Sequence, residues 1–201
     1  MYFVMKSMTL SLMAMIALLL STPLTHAGTS DKTVTLGFTP LEIEIEDGIV
    51  ARVARGNDER VEIYCDEPGE IICKKNSRSG SLELKRKSRR GDLLGNLPRP
   101  MCIAIIVTKD PSAIREISCD SGASIKMDDK GLRFSSLSLS ADSGGEIRIK
   151  GDCPRIDIEA DSGGRVSVSG VFGRLTASAD SGASVAIRGD IKRGSFSVDS
   201  G

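Results

Sequence analysis

Along the second half of the chain apolar and polar residues alternate one for one, and the alternation returns at a fixed period. Leu137, Leu139 and Ala141 precede Asp142 as Ile156, Ile158 and Ala160 precede Asp161, and as Leu175, Ala177 and Ala179 precede Asp180. Five and seven residues after each Asp stand Ile125 and Met127, Ile147 and Ile149, Val166 and Val168, and Val185 and Ile187. A period of two sends alternate side chains to opposite faces, so each copy predicts two short strands with one buried face apiece. The copies are joined by Asp-Ser-Gly turns at Asp120, Asp142, Asp161, Asp180 and Asp199, at intervals of 22, 19, 19 and 19 residues. Eight residues before the Asp a lone apolar residue recurs (Phe134, Cys153, Phe172, Ile191), next to a Gly or Pro bend. Helical spacing is missing from this half.

One copy cannot bury its own inward residues. Stacking copies about 4.8 Å apart satisfies the backbone between them and merges the aliphatic columns into one core. The expected fold class is therefore all-β, a parallel β-solenoid (β-helix-like) of about 19-residue rungs. Ala123, Gly145, Gly164 and Ala183, three residues after each Asp, mark a place where side-chain volume is restricted. Residues 33–110 carry alternating runs such as Leu41–Ile45, Ile49–Val53, Val61–Tyr64 and Ser81–Lys85, then the apolar run Ile103–Val107. They are expected to form an irregular N-terminal β cap over the solenoid's open end, where unpaired strand edges would otherwise be exposed. The division is a signal peptide over 1–27, the capping β region over 28–110 and the repeat solenoid over 111–201.

The leader changes the chemistry. Lys6, the apolar stretch from Leu10 to Leu20 and Thr25-His26-Ala27 have the layout of a secretory signal peptide, and the apolar run is too short to span a bilayer. The expected protein is exported, to the periplasm, the cell surface or the medium, and does not span the membrane after cleavage. His26 is the one histidine in the chain, so its removal excludes an imidazole base, a Ser-His pair or a His-bound zinc. Lys plus Arg (27) balances Asp plus Glu (27) and aromatics make up 3%, which argues against a nucleic-acid partner.

Five cysteines remain, and export permits disulfides. Cys65 and Cys73 flank Glu67-Pro68-Gly69-Glu70 and are the candidate pair. A tight turn on Pro68-Gly69 would instead set Cys65 opposite Ile72, so that pairing is left open. Cys119 and Cys153 fall on inward columns, where cysteine acts as a small hydrophobe. No CxxC spacing suggests a metal site, and no cofactor is implied.

Two charged features carry candidate binding chemistry. Stacked carboxylates at Asp120, Asp142, Asp161, Asp180 and Asp199 repel by roughly 1 kcal/mol per neighbour in bulk water. Hydrogen bonds from the N–H groups of each Asp's own Ser-Gly turn would offset that, as would a shared cation such as Ca²⁺. The run Lys85, Arg86, Lys87, Arg89 and Arg90 is the candidate ligand-binding segment for acidic envelope components, against the plain reading of a solvated loop. Outward hydroxyls (Ser138, Ser140, Thr176, Ser178, Ser195, Ser197) beside outward bases (Lys126, Arg148, Lys150, Arg165, Arg188) suggest a glycan-binding surface. The sequence stops inside a turn at Asp199-Ser200-Gly201, which suggests self-association through the solenoid end.

Phe38-Thr39-Pro40-Leu41-Glu42-Ile43, Asp47-Gly48-Ile49, Ser81-Leu82-Glu83-Leu84, and Ile106-Val107-Thr108-Lys109-Asp110-Pro111 leading into Ile117-Ser118-Cys119-Asp120-Ser121-Gly122-Ala123 resemble the bacterial putative auto-transporter adhesin, head GIN domain family. The likeness runs over 36–201, which together would make one GIN-like domain. It implies an exported cell-envelope β-solenoid that serves as an adhesion or surface interaction module, with no catalytic residues to carry over. The Asp before each Ser-Gly and the five cysteines depart from the family's usual pattern. The alternative function is a polysaccharide-acting enzyme, a glycoside hydrolase or lyase, using carboxylates on the solenoid face.

Overall fold

Alternation of apolar and polar residues produces strands throughout the computed structural model, which describes residues 30–87 and 101–199. The signal-peptide segment 1–27, Arg89 and Arg90 lie outside the described residues. Fourteen strands are described: β1 (Lys32–Thr35), β2 (Glu42–Ile45), β3 (Ile49–Arg55), β4 (Arg60–Cys65), β5 (Ile71–Asn76), β6 (Ser81–Arg86), β7 (Cys102–Thr108), β8 (Glu116–Cys119), β9 (Ser124–Met127), β10 (Leu137–Ala141), β11 (Glu146–Lys150), β12 (Cys153–Ala160), β13 (Arg165–Ala179) and β14 (Ser184–Val198). Short 3₁₀ turns at Pro68–Glu70 and Pro111–Ala113 interrupt them, and Asp110 caps the second by accepting from the N–H of Ser112 at 3.1 Å.

All the strands join one sheet, in the order β1-β4-β7-β3-β9-β11-β13-β12-β10-β8-β2-β6-β5, with β14 paired to β13. The fifteen-residue β13 belongs to both walls of this sheet, pairing β11 through Arg165–Ser169 and β12 through Phe172–Ala179. The walls therefore fold back on each other there, and the two ends of the order, β1 and β5, come within reach across a seam. Lys32 Nζ donates to the carbonyl of Ile71 at 3.1 Å and Lys75 Nζ to that of Thr35 at 2.7 Å. The result is a nearly closed barrel around a single main core.

This corrects the expected parallel β-solenoid with a separate N-terminal cap. Pairing is mixed: β1–β4, β4–β7 and β5–β6 are antiparallel. The N-terminal region is not a lid over an open end, because β2 pairs β8 and β3 pairs β9, each in parallel, inside the same sheet. The physical reason is that β2 and β3 have the same half-buried alternation and the same turn between them as the later copies. Their edges are best satisfied by sideways pairing.

The inward residues form columns across neighbouring strands. Ile43, Ile117, Leu139, Ile158 and Ala177 stand in register on one wall, and Ala51, Ile125, Ile147, Val166 and Val185 on the other. Most are fully buried, and burying a branched aliphatic side chain contributes about 1.5–3 kcal/mol. A smaller cluster of Ala54, Ile105 and Val107 lies apart from this core, with Tyr64 packed on it. Tyr64 Oη donates to Glu62 at 3.0 Å, and Glu62 also accepts from Arg60 at 2.7 Å.

Each of the four described Asp-Ser-Gly turns, at Asp120, Asp142, Asp161 and Asp180, reverses the chain through a Ser and a Gly that both have positive φ: 53° and 73° at Ser121-Gly122, 47° and 79° at Ser162-Gly163. That is the type I′ geometry. The turn closes from the third residue after the Asp, Gly145 N–H to Asp142 O at 2.7 Å and Gly164 N–H to Asp161 O at 2.7 Å. A Cβ on Gly145 would lie 2.2 Å from the Cys119 carbonyl oxygen, and one on Gly164 2.1 Å from that of Ala141. Side-chain volume is excluded there by the backbone of the preceding copy.

Two predictions follow from this geometry. Gly145→Ala must force neighbouring copies apart and is expected to lower stability by about 2–3 kcal/mol, whereas Gly144→Ala, in open space at φ 78°, is expected to cost about 1 kcal/mol; urea midpoints of the two variants check the order. Burial first, then the hydrogen bond to Glu62, pushes Tyr64 up to about 12. A folded pKa above the usual 10 means the neutral phenol contributes stability that is complete below pH 10 and lost as pH rises through 12. An absorbance titration of Tyr64 should show its phenolate appearing near 12, and a midpoint at 10 in the folded protein would refute this.

Candidate functional site

The in-register sheet sorts its outward residues by wall. On the wall made of β6, β2, β8, β10, β12 and the second halves of β13 and β14, one outward column is Ser81, Glu42, Glu116, Ser138, Asp157, Thr176 and Ser195. The next is Glu83, Glu44, Ser118, Ser140, Glu159, Ser178 and Ser197. Every member is an acid or a hydroxyl. The opposite wall presents Arg52, Lys126 and Arg148 in one column, with Lys150 and Arg188 beyond them. One wall thus gathers acids and hydroxyls, while the bases of the other stand beside acids, Arg52 and Lys126 at Asp128 and Arg148 at Glu146.

The acidic wall ends at the turn column. Ser121, Ser143, Ser162 and Ser181 each donate a backbone N–H to the Asp before them, at 2.5–2.6 Å. The turns also bond to one another: Gly122 N–H reaches Ser143 O at 3.1 Å, and Gly144 N–H reaches Ser162 O at 3.2 Å. Each carboxylate is thereby engaged in holding a left-handed Ser. No group of three or more His, Cys, Asp or Glu among the described residues is placed to hold a metal ion. A shallow open trough of about 410 Å³ runs along this edge, lined by Asp142, Asp161, Asp180 and Asp199 together with Glu159 and Ser178.

The column has a member that the Asp-Ser-Gly pattern does not reveal. Glu46-Asp47-Gly48-Ile49 repeats the turn, with φ of 58° at Asp47 and 68° at Gly48, and Gly48 N–H donates to Ser121 O at 3.0 Å. Glu46 thus takes the place of the Asp. Burial raises it above the usual carboxylate range, while Lys85 pulls it back. The signal was present as Asp-Gly between two alternating runs.

The basic run is divided by the fold. Lys85 forms an ion pair with Glu83 on the acidic wall, and that hydrogen bond raises the lysine further. Arg86 is buried, its Nε donating to the carbonyl of Asp47 at 3.1 Å. Lys87 is exposed, and its backbone N–H donates to the backbone carbonyl of Glu70 at 2.8 Å. Of the cysteines, Cys65 on β4 faces Cys102 on β7, and Cys73 on β5 faces Leu84 on β6. Cys119 is wholly buried, which pushes it up to about 12.

A third side, between the walls, was not singled out from the sequence. Gly151, Gly170 and Gly189 bring the chain round it so closely that a Cβ on Gly170 would lie 2.0 Å from the Gly151 carbonyl oxygen. Beyond that bend Arg155, Arg174 and Arg193 stand in register on β12, β13 and β14, all exposed. None has an ion-pair partner among the described residues. The signal available was Arg at a 19-residue interval, at 155, 174 and 193. The last strand, β14, pairs only with β13 and leaves Phe196 60% and Val198 77% exposed.

The model of the family described as putative auto-transporter adhesin, head GIN domain matches residues 39–198. The chain belongs to this family. No curated protein matches the sequence. Among solved structures, one described as a putative lipid binding protein from Parabacteroides distasonis is similar at TM-score 0.65 and 12% identity, over 86% of this chain and 74% of its own. Two described as putative adhesins are similar at lower scores. One, from Bacteroides fragilis, has TM-score 0.46 and 14% identity, over 85% of this chain and 98% of its own; the other, from Parabacteroides distasonis, has TM-score 0.47 and 12% identity, over 85% and 95%. The likeness to the first is one of fold. No helix among the described residues is long and apolar enough to cross a membrane.

If the Asp column serves the turns, Asp161→Ala should cost about 1 kcal/mol, and Asp161→Asn, whose side-chain oxygen still accepts from Ser162, should cost less than half of that. Denaturant midpoints of the two variants measure the difference; equal losses would contradict the turn role.

Proposed function

We propose that this protein is an exported, surface-associated interaction module without catalytic activity, and that it binds acidic surface glycans through its arginine column. Membership of a family described as adhesin heads supports the surface role. The ligand class rests on one observation, the unpaired register of Arg155, Arg174 and Arg193. Their backbones stand one strand spacing apart, about 4.8 Å, so the guanidinium groups repel one another, and no ion pair among the described residues offsets this. A linear polymer with an anionic group on successive units relieves the repulsion, and guanidinium pairs with carboxylate or sulfate in a two-point fork. Pro154, between Cys153 and Arg155, and the glycine bend hold the column's backbone before any ligand arrives, so little ordering is required on binding.

The acids of the acidic wall support the enzyme reading less well. They recur in column after column, and the turn carboxylates are already engaged by their own backbone.

The test is retention of the purified protein on an immobilised polyuronate and on a neutral glucan. Retention on the polyuronate alone, weakened by salt and reduced at least tenfold in Arg155→Ala/Arg174→Ala/Arg193→Ala, is expected. Equal retention on both polymers, or an unaffected triple variant, would overturn the assignment, and new reducing ends or unsaturated products during incubation would favour the enzyme.

A further inference from the structure

We infer that Cys65 and Cys102 form a structural disulfide that fastens β4 to β7 beside the barrel's seam. The two residues are direct partners in the antiparallel pairing, at the end of β4 and the start of β7. Asp31 N–H donates to Ile63 O at 2.9 Å, and the N–H of Cys65 itself is taken by the Asp31 carboxylate at 2.8 Å. Odd-numbered residues of β4 therefore turn their backbone groups toward β1 and away from β7. That makes Cys65–Cys102 a non-hydrogen-bonded pair, the kind in which opposed Cα atoms lie about 4.5 Å apart. The spacing falls inside the roughly 4.4–6.8 Å window that a disulfide requires.

The surroundings agree. Cys65 and Cys102 are 7% and 0% exposed, and Cys65 lies near enough to push the Cys102 thiol up. No other two cysteines are opposed: Cys73 faces Leu84, Cys119 lies between Ile45 and Ala141, and Cys153 faces Phe172 while its thiol donates to the Arg155 carbonyl at 2.8 Å. The odd number of cysteines is thus resolved into one pair and three separate thiols.

Formation requires an oxidant, here a disulfide-bearing one of the exported compartment, small or protein-bound. The Cys65 thiolate attacks one sulfur of that disulfide, giving a mixed disulfide and releasing the first oxidant thiolate. The Cys102 thiolate then attacks Cys65 Sγ, forming the internal bond and releasing the second. Two protons and two electrons pass to the oxidant, which ends as two thiols. Burial, and then the neighbouring Cys65, push Cys102 up to about 12 in the folded protein. Its thiolate is therefore scarce once β7 is in place, so the bond forms while β4 and β7 are assembling.

The inference rests on export for its oxidant, and its test is independent of compartment. The full chain is unfolded under reducing conditions, refolded with a mixture of oxidised and reduced glutathione, and its free thiols are alkylated in denaturant. Digestion with trypsin and a Glu-specific protease, which cuts at Glu67 or Glu70 between Cys65 and Cys73, then assigns the bonds by mass. A Cys65–Cys102 linked peptide with the other three cysteines alkylated is expected, and Cys73→Ser should leave that link unchanged. Five alkylated cysteines, or a Cys65–Cys73 link in the unsubstituted chain, would overturn the assignment. The same map on protein secreted from cells, if it lacks the link that forms on refolding, places the fault with export and not with the geometry.

Discussion

Two backbones can share hydrogen bonds only where no side chain stands between them, and in this protein that condition is met most tightly at one position in each of the two central turns. Gly145 and Gly164 carry no Cβ because a carbonyl of the preceding copy occupies its place, 2.2 and 2.1 Å away. Once the turns are this close, the strands leaving them on either side are fixed in register. The aliphatic columns and the outward charges follow from that register, because each side chain is set beside its counterpart 19 residues away. A one-residue slip would turn the inward column to solvent, so the turn and the core enforce each other.

Register has an electrostatic consequence that the fold must meet, since like residues are set beside like. The Asp column meets it locally: each carboxylate accepts from the next residue's N–H, and that bond also steadies a Ser in a conformation L-residues rarely adopt. On the acidic wall Glu83 is held below the usual carboxylate range, chiefly by its hydrogen bond from Lys85 and then by that from Lys74, so its charge is balanced in place. The arginine column has no such arrangement. The difference between a charge that builds a turn and one that is left over is what singles out the arginine column for the proposed contact.

The sequence made the repeating strands and the turn legible because both are local: a period of two needs only neighbours, and Ser-Gly reports its own positive φ. Sheet closure was not legible, since nothing in Leu41–Ile45 or Ile49–Val53 says which later strand lies alongside. The N-terminal strands were accordingly assigned to a cap when they belong in the sheet. Glu46-Asp47-Gly48 escaped recognition because Glu and Asp stand where the later copies have Asp and Ser, although Asp also tolerates the left-handed region. The hydroxyl reading of the outward wall passed over Asp157 and Glu159, which the alternation with Ile156 and Ile158 already turns outward, and missed Glu42, Glu44 and Glu116, which join it through pairing. Nearness in sequence makes Cys65 and Cys73 a candidate pair, whereas β1 lies between β4 and the seam that β5 faces, and each cysteine is opposed by another residue, Cys102 and Leu84.

Closure also explains where lysine is spent. A nearly closed barrel leaves two strand edges facing each other with unpaired carbonyls, and no further strand fits between them. Lys32 and Lys75 each span the gap with a flexible stem and donate to the opposite edge, so the seam is satisfied without a ladder of backbone bonds. Side chains make a looser closure than a strand would, and they leave this side of the sheet easier to open than the side where β13 runs unbroken through both walls. The chain also crosses at this seam, from Cys65 through the turn at Pro68–Glu70 into β5. A covalent tie between β4 and β7 would join two strands already paired along Arg60–Cys65, one strand in from the seam, and so hold the edge that carries β1 in the register that the turns impose on the rest.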